Sequence, residues 1–451
     1  MSETTQQPEK KEIIDRLYDA IDDDTLDNAR DLIAQLHPSE IADALESLPG
    51  KSRHILWELV EPGLEGDVLS ELQSTVRNEL LEDMHPHEVI NVTRDLDADD
   101  VADIIQELPD EVRDTVFLAM DEQYRQRLAS VLSYPDDSAG GLMNIDVISV
   151  RTDVTLDVVL RYLRLLKELP EKTDELMVVD RDNRYLGVLP LTALLCRDTS
   201  ATVSDIMTDK EAIPAMTPAH EVAKLFEQRD LLSAAVINED NLLVGRITVD
   251  DVVDVIQEEA EHTMRSMAGV GQEDIFAPVL QSIKHRAVWL GINLITAFLA
   301  ASVIGRFEDT IQQIVALAVL MPIVAGMGGV AGSQTLIIVT RGLATGQIGK
   351  SNAQDLLYKE LGVGLLSGIV WATVVSTIVY IWFDDLSLGL VIGMAMITNL
   401  IVAALAGSGI PLVLKKAGID PAIAGGVILT TITDVTGFLT FLGLATWLLL
   451  N

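Results

Sequence analysis

Five long apolar segments in the C-terminal part of the chain limit its possible folds more than any other feature. We place them at about 287–305, 311–340, 361–383, 386–414 and 421–450. About 20 apolar residues cross the hydrocarbon core of a bilayer as a helix. The sequence therefore predicts an α-helical, polytopic membrane domain with five spans over 283–451. The second and fourth segments exceed that length, which predicts helices that are tilted, broken or extended beyond the hydrocarbon.

The charge of the chain is distributed unevenly. The 451 residues carry a formal net charge of −37, yet the part from Phe276 onward has eight acidic and eight basic side chains. The acidic excess therefore lies in a soluble part that precedes the membrane domain. An acidic surface repels nucleic acid and attracts divalent cations. The composition argues against DNA or RNA as a partner and favours cations.

The distribution of basic residues predicts the orientation in the membrane. Seven lie on one side of the five spans, and Arg306 alone lies on the other. By the positive-inside rule the soluble part faces the cytoplasm of the inner (plasma) membrane, and the C-terminus lies outside. The polar residues 1–12 predict a disordered tail rather than a secretory signal. Cys196 is the single cysteine, so no intrachain disulfide is expected.

Residues 13–136 consist of short amphipathic patterns, which predict an all-α, superhelical N-domain. The stretch HPSEIADALESLPGKSR at 37–53 matches DADDVADIIQELPDEVR at 97–113. Helical repeats that cannot bury their own apolar faces stack on their neighbours. His85 and His87 have no obvious third ligand in the sequence, which argues against a transition-metal site there.

Short strands and helices alternate in two copies, at 137–200 and 201–257, which predicts an α/β pair. The second copy ends in Gly245-Arg-Ile-Thr248-Val-Asp250-Asp251-Val and is similar to a CBS domain. The resemblance implies an adenine nucleotide such as ATP between the copies, with Thr248 and Asp251 at its ribose. The first copy lacks the aspartate, so at most one such site is expected. A purely structural dimerisation module is the alternative.

A long helix, at 258–282, is predicted to connect the soluble part to the membrane domain. The segment that leads into it, DDVVDVIQEEAEHTMRSM, begins at Asp250 and carries acidic residues on one helical stripe. Like charges at this spacing repel one another. A solvated face and a face that binds hard divalent cations would both relieve the repulsion. The sequence leaves both interpretations open.

Asp434 is the one charged residue inside the apolar bodies of the predicted spans. An ionised carboxylate in hydrocarbon is costly, so it should face the bundle interior or a wet cavity and mark a path for ions or protons. The alternative is a protonated side chain bonded to a neighbouring helix. No basic residue of the spans is placed to pair with Asp434, which favours a cation that comes and goes.

The second span is rich in glycine around the sequence MPIVAGMGGVAGSQ at 321–334. Glycines with Pro322 can break a helix and expose carbonyls to a cation, or they can allow close helix packing. Ser333, Gln334 and Asn399 are further polar groups that could hold water.

The order of the predicted domains can be combined with two motifs in the membrane domain. Together with Pro322…Gly328-Gly329-x-x-Gly332-x-Gln334…Arg341 and Asp434-Val-Thr-Gly437, the chain resembles the MgtE family of magnesium transporters and channels over nearly its whole length. The resemblance implies a homodimer with a pore at its two-fold axis. Asp434 would bind hydrated Mg²⁺ there, and the predicted pore-lining residues are Gly328, Gly329, Gln334 and Thr431.

The resemblance also implies regulatory Mg²⁺ in the cytosol that closes the pore through the connecting helix. The matching acidic positions are Asp250, Asp251, Asp254, Glu258 and Glu259, and also Asp420 before the fifth span. One departure concerns Val330, since the family often has asparagine there. Selectivity for Mg²⁺ over Co²⁺, Mn²⁺ or Ni²⁺ therefore stays open.

These features predict a Mg²⁺-gated, passive uptake channel and no enzyme. The chain has no phosphate-cradling Walker motif for a pump, and an intramembrane aspartyl hydrolase would need a second carboxylate beside Asp434. The alternatives are a transporter of other divalent cations, an exporter, and a membrane-tethered, nucleotide-sensing regulator that transports nothing.

Overall fold

The computed structural model describes residues 13–450 except 15, 22, 24, 95, 121, 167, 171, 269–275, 277, 278 and 350. Two compact units are present: residues 1–260 with 273–277, and residues 261–272 with 278–451. The predicted tail at 1–12 lies outside the described residues, as does part of the connecting segment at 258–282. Each unit is described by itself.

The first unit begins with a stack of short helices. They are α1 Leu26–Ile33, α2 Pro38–Glu46, α3 Gly50–Trp57, α4 Glu65–Glu71, α5 Ser74–Asp83, α6 Pro86–Val92, α7 Ala98–Glu107, α8 Asp110–Ala119 and α9 Glu122–Val131. Apolar residues on their inner faces, such as Leu45, Leu69 and Ile105, are fully buried in one core. This arrangement agrees with the all-α N-domain that the amphipathic patterns predict.

Two of these helices start with the same local device. Pro38 and Pro86 occupy the first turns of α2 and α6, where proline's missing N–H costs no hydrogen bond. The backbone N–H groups of His37 and His85 donate to Glu40 and Glu88 at 3.0 and 2.7 Å. The sequence H-P-x-E therefore encodes a helix start, and histidine is the N-cap residue.

A buried ion pair joins α5 to α7. The Arg77 guanidinium donates to both carboxylate oxygens of Glu107, at 2.7 and 2.9 Å, and the two side chains are only 10% and 17% exposed. Removing one member of such a pair strands the other charge away from water.

We expect Arg77→Met to destabilise this helical stack by about 3 kcal/mol, because Glu107 loses its partner. Hydrogen exchange of the full-length protein should show reduced protection of the α5 and α7 amides. The surface ion pair of Arg161 with Asp157 supplies the matched control, since Arg161→Met should cost at most about 1 kcal/mol. Equal protection in the Arg77→Met variant and the unmodified protein would contradict this prediction.

The strands of the first unit form two sheets of three. They comprise β1 Ser149–Arg151, β2 Glu175–Val179, β3 Tyr185–Pro190, β4 Ile213–Pro214, β5 Ser233–Ile237 and β6 Leu243–Thr248. The accompanying helices are α10 Leu156–Leu166, α11 Leu191–Cys196, α12 Val203–Ile206, α13 Ala219–Arg229 and α14 Val249–Ala268. In each sheet a parallel pair is followed by an antiparallel pair. The repeated β-α-β-β-α order is the predicted α/β pair.

Among its described residues, the second unit contains five helices long and apolar enough to span a membrane. They lie within α15 Val279–Gly305, α17 Ala316–Ala344, α18 Ala353–Phe383, α19 Leu386–Lys416 and α20 Pro421–Leu449, while the short α16 Glu308–Gln313 precedes α17. Helix α19 is the most enclosed of the five, since 61% of the residues in its most apolar stretch are buried. The number of spans agrees with the sequence prediction.

The glycine-rich helix α17 is continuous through Pro322. The interruption in the predicted second span instead falls at residues 314 and 315, between α16 and α17. A proline removes one backbone hydrogen bond, and here that loss does not end the helix. Gly328 and Gly332 serve close packing instead: a methyl carbon on Gly332 would lie 2.8 Å from the Leu429 side chain.

Candidate cation sites

The Asp434 carboxylate opens into a cavity of about 450 Å³ between α17 and α20. The cavity is lined by Ala325, Gly326, Gly329, Val330, Ser333, Gln334, Ile337, Thr430 and Asp434. Asp434 is half-buried. No residue that the structure describes donates a hydrogen bond to its carboxylate or forms an ion pair with it. A carboxylate with open space and side-chain oxygens around it suits a cation.

The structure brings some of the predicted pore-lining residues to this cavity and not others. Gly329 and Gln334 line it together with Asp434. Gly328 is buried and faces Asn399 of α19. The cavity contacts Thr430 rather than Thr431, whose hydroxyl donates to the Val427 carbonyl at 2.7 Å. Helical rotation of 100° per residue separates these neighbours.

A second intramembrane carboxylate, Glu360, stands one residue before the predicted third span and inside helix α18. It is 3% exposed, it accepts a hydrogen bond from the Thr335 hydroxyl at 3.1 Å, and it pairs with Lys359 at 3.0 Å. It lines a cavity of about 310 Å³ that shares Val330 and Gln334 with the Asp434 cavity. The hydrogen bond from Thr335 joins α17 to α18, and the second carboxylate oxygen of Glu360 pairs within α18.

In the soluble unit, the start of α7 lies against the start of α14. Burial, the Asp251 carboxylate and neighbouring acids raise the pKa of Asp99 well above its ordinary value. Burial and the carboxylates around it raise the pKa of Asp100 to about 7. Partial desolvation by the surrounding helices and nearby carboxylates raise the pKa of Asp103 to about 6 despite the nearby Arg77, although the residue is exposed at the surface. Four or more carboxylates therefore crowd this contact without enough positive charge.

The α14 side of the contact contains the predicted regulatory residues. Burial and the neighbouring Asp250 raise the pKa of Asp251 to about 6. Asp250 pairs with Lys172; burial opposes the charged form, but the hydrogen bonds from Lys172 and Thr248 lower its pKa overall. Burial, with repulsion from Glu71 and Asp250, raises the pKa of Asp254. Glu258 and Glu259 are exposed on the same helix.

The carboxylate contact has a polar group without a partner. Asp99 Oδ1 is buried, and no hydrogen-bond donor reaches it among the residues that the structure describes. Within the described ranges, no group of three or more His, Cys, Asp or Glu side chains is arranged as a ready metal site. Mg²⁺ commonly binds one or two carboxylates and keeps several waters, so these residues fit a hydrated Mg²⁺ between α7 and α14.

The raised pKa values predict how pH changes the stability of the first unit. An acid whose folded pKa exceeds its unfolded pKa stabilises the fold at low pH, and this contribution is lost as pH rises through the folded pKa. From about pH 5 to about pH 8, the melting temperature without divalent cations should fall by about 5 °C, because the half-buried Asp100 and Asp251 ionise.

Calorimetry of the purified protein in EDTA and in millimolar Mg²⁺ tests this prediction. Mg²⁺ should remove most of the pH dependence, since it favours the ionised carboxylates. A melting temperature that rises with pH in EDTA would contradict the assignment of these acids as the dominant titrating groups.

The remaining predicted residues are Asp420 and the two residues of the predicted nucleotide motif. Asp420 caps helix α20, where its side chain accepts from the Ala422 N–H at 2.8 Å. Thr248 and Asp251 contact each other: the backbone N–H of Thr248 donates to Asp251 at 3.2 Å, and its hydroxyl lies 3.1 Å from the same carboxylate. A separate cavity of about 230 Å³ between the two sheets contains Glu175, Lys210 and Ser233, and neither Thr248 nor Asp251 lines it.

Sequence reasoning missed the N-domain half of the carboxylate contact. Asp99, Asp100 and Asp103 belong to the second copy of the repeat, where the first copy has Ser39, Glu40 and Asp43. The larger number of acidic residues in the second copy was the sequence feature that could have indicated a cation site. Their partner Asp251 is distant in sequence, so only packing could identify the pairing. Glu360 was missed because the apolar run begins immediately after it.

Comparisons with known proteins match most of the chain. The MgtE family profile, described as divalent cation transporter, matches residues 321–444, and that of the MgtE intracellular N domain matches 36–137. The CBS domain profile matches 139–197 and 203–258. Thus the helical stack, the two α/β copies and the membrane helices each have a recognised counterpart.

Whole-length relatives are also found. The chain is 30% identical over 443 residues to the magnesium transporter MgtE of Thermus thermophilus, which covers 96% of this chain and 98% of that one. It is 29% identical over 437 residues to the magnesium transporter MgtE of Bacillus subtilis, covering 96% and 97%. A crystal structure of the cytosolic domain of the Mg²⁺ channel MgtE in complex with ATP shares 30% identity, covers 53% of this chain and 98% of that one, and gives a TM-score of 0.48.

Proposed function

Because the chain belongs to the MgtE family of magnesium transporters, we propose that it is a Mg²⁺-selective channel that admits Mg²⁺ passively and closes when cytosolic Mg²⁺ is high. The five candidate spans make it a multi-pass membrane protein. In the proposal its soluble unit faces the cytoplasm of the inner (plasma) membrane, and two copies form the pore.

The Asp434 cavity is the observation that carries the proposal. A Mg²⁺ ion with six waters needs roughly 200 Å³, at about 30 Å³ per water. The cavity of about 450 Å³ has room for this ion and part of its second shell. Asp434 attracts the ion, and Ser333, Gln334 and Thr430 offer oxygens to its waters. A pore between two copies would bring two Asp434 carboxylates to one path.

The membrane potential supplies the driving force. A divalent cation that moves inward gains roughly 4.6 kcal/mol per 100 mV, which is twice the value for a single charge. Passive entry then needs no chemical energy source. An exporter would have to move Mg²⁺ against this field, and we therefore favour uptake.

Electrostatic repulsion between α7 and α14 supports the proposed gating. Without Mg²⁺, Asp99 and Asp100 repel Asp251, which favours separation of the helical stack from the CBS pair. Mg²⁺ between the carboxylates would hold them together, and the connecting helix would then keep the pore closed. Asp254, Glu258, Glu259 and Asp420 complete the proposed set of acidic residues that respond to cytosolic Mg²⁺.

The selectivity part of the proposal depends on Val330. Its side chain is 60% exposed and lines the Asp434 cavity, so no amide at this position can bind an ion or its waters. We propose that the filter acts through hydrated Mg²⁺, which dehydrates more reluctantly than larger ions. Co²⁺, Mn²⁺ and Ni²⁺ are the competing ions to compare.

We propose adenine nucleotide, such as ATP, as a second ligand of the CBS pair. Thr248 and Asp251 stand at the end of β6 and the start of α14, where the ribose motif of a CBS domain lies. Asp251 also belongs to the carboxylate contact with α7. Nucleotide and Mg²⁺ binding should therefore influence each other, which a titration of ATP in EDTA and in Mg²⁺ can measure.

Flux measurements on the purified protein test the proposed function. Liposomes that contain only this protein should take up Mg²⁺ when a potential, negative inside, is applied, and empty liposomes should not. Millimolar Mg²⁺ on the side of the soluble unit should reduce the rate. Absence of flux together with nucleotide binding would instead support the membrane-tethered regulator.

A further inference from the structure

Asn399 places an amide side chain at the centre of the membrane unit. It belongs to α19, the most enclosed helix, and is 1% exposed. Its Nδ2 donates to the Val324 carbonyl of α17 at 2.9 Å. Its Oδ1 is buried and has no hydrogen-bond partner within the described part of the chain. A buried oxygen without a partner costs free energy, so bundle stability alone does not explain an amide here.

Two glycines make room for this side chain. A methyl carbon on Gly328 of α17 would lie 2.8 Å from Asn399 Cγ, and one on Gly437 of α20 would lie 2.8 Å from Asn399 Nδ2. Carbon and nitrogen atoms at that distance overlap sterically. Asn399 therefore sits as a wedge between α17 and α20, and a methyl group at either glycine would displace its side chain.

The wedge adjoins the Asp434 cavity on both sides. Gly328 precedes Gly329, which lines the cavity, and Gly437 follows Asp434 by about one helical turn. Rotation or displacement of either helix at the wedge would therefore move the cavity wall relative to the carboxylate. The Asn399 hydrogen bond also fixes the position of α17 along its axis relative to α19, because it is made to a single carbonyl, that of Val324.

We propose that Asn399 is a positioning residue for the Asp434 site: it sets the separation and rotation of α17 and α20 so that Asp434 faces Gly329, Ser333 and Gln334. This inference rests on the proposed transport function. Asn399 is not among the residues that line the Asp434 cavity. It acts through the two helices that form the cavity, and the glycines at 328 and 437 are its steric counterparts.

A double-mutant cycle tests the wedge. Gly328→Ala should lower Mg²⁺ uptake in liposomes roughly ten-fold and raise the Mg²⁺ concentration for half-maximal uptake, because the added methyl displaces Asn399. Asn399→Ala removes the obstructing atoms, so Gly328→Ala combined with Asn399→Ala should take up Mg²⁺ faster than Gly328→Ala alone. Gly409→Ala on α19 is the matched control, since its added methyl meets no atom within 4 Å.

The four proteins of the cycle are the unmodified protein, Gly328→Ala, Asn399→Ala and the double variant. They should also be compared by melting temperature, which does not depend on transport. The loss caused by Gly328→Ala should shrink in the Asn399→Ala background. Gly437→Ala with Asn399→Ala repeats the cycle from the α20 side and serves if the Gly328 variant does not fold. Rescue of melting temperature without rescue of half-maximal concentration would show a packing role only and would overturn the positioning role.

The remaining outcomes separate the two proposals. Normal uptake by Gly328→Ala, or a double variant no better than Gly328→Ala, overturns the inference and leaves the proposed function intact. An unmodified chain that moves no Mg²⁺ overturns the proposed function and the positioning role with it. In that case the melting cycle still decides whether the steric wedge exists.

Discussion

Asp434→Asn is expected to reduce Mg²⁺ uptake at least about 100-fold, because the amide keeps the shape of the side chain and removes its charge. A dication 4 Å from a carboxylate is attracted by roughly 8 kcal/mol at an effective dielectric constant of 20. Even if most of this attraction is offset by lost hydration, a residual of about 2.7 kcal/mol gives the 100-fold effect. In a dimeric pore the substitution removes two such charges from one path.

Uptake into liposomes under an applied potential, followed with an enclosed Mg²⁺-sensitive dye, measures the effect. Asp355→Asn provides the matched control, since Asp355 is an exposed acid in the first turn of α18. Asp434→Glu should keep part of the activity, because it retains the charge and displaces it by one methylene. Uptake by Asp434→Asn at the rate of the unmodified protein would exclude the carboxylate as the ion's binding group.

The second large effect is expected at the cytosolic carboxylates. Replacing Asp99, Asp100 and Asp251 together by asparagine should raise the cytosolic Mg²⁺ concentration for half-inhibition at least about ten-fold. The substitutions remove the charges that Mg²⁺ would bridge, and they also remove the repulsion that Mg²⁺ relieves. The first unit without Mg²⁺ should therefore become more stable in EDTA, because these half-buried acids repel one another.

Inhibition curves from liposomes with Mg²⁺ on the side of the soluble unit measure this effect. A control with the same change in net charge combines Asp182→Asn, Glu239→Gln and Asp240→Asn, all exposed residues of the β-hairpin turns. The control should keep the inhibition curve of the unmodified protein. If both triple variants shift equally, net charge rather than this contact governs the response, and the proposed sensor is wrong.

Local patterns determined much of the architecture. The hydropathy runs predicted five membrane helices, and α15, α17, α18, α19 and α20 contain them. Local sequence also encodes helix starts, since both His-Pro pairs begin helices, with Pro38 and Pro86 in the first turns. Strand and helix alternation predicted the α/β pair of the first unit. These features depend on residues close in sequence, so periodicity and turn residues are sufficient to encode them.

Tertiary packing decided which residues share a site. The sequence alone identified Asp434 and Asp251 as acids in unusual places, and it also suggested Asn399 as a water-holding group. Only the packed helices brought Asp99 and Asp100 against Asp251, enclosed Asn399 between two glycines, and turned Gly328 and Thr431 away from the Asp434 cavity. The physical reason is that charge repulsion and steric fit act over a few ångströms between helices that are far apart along the chain.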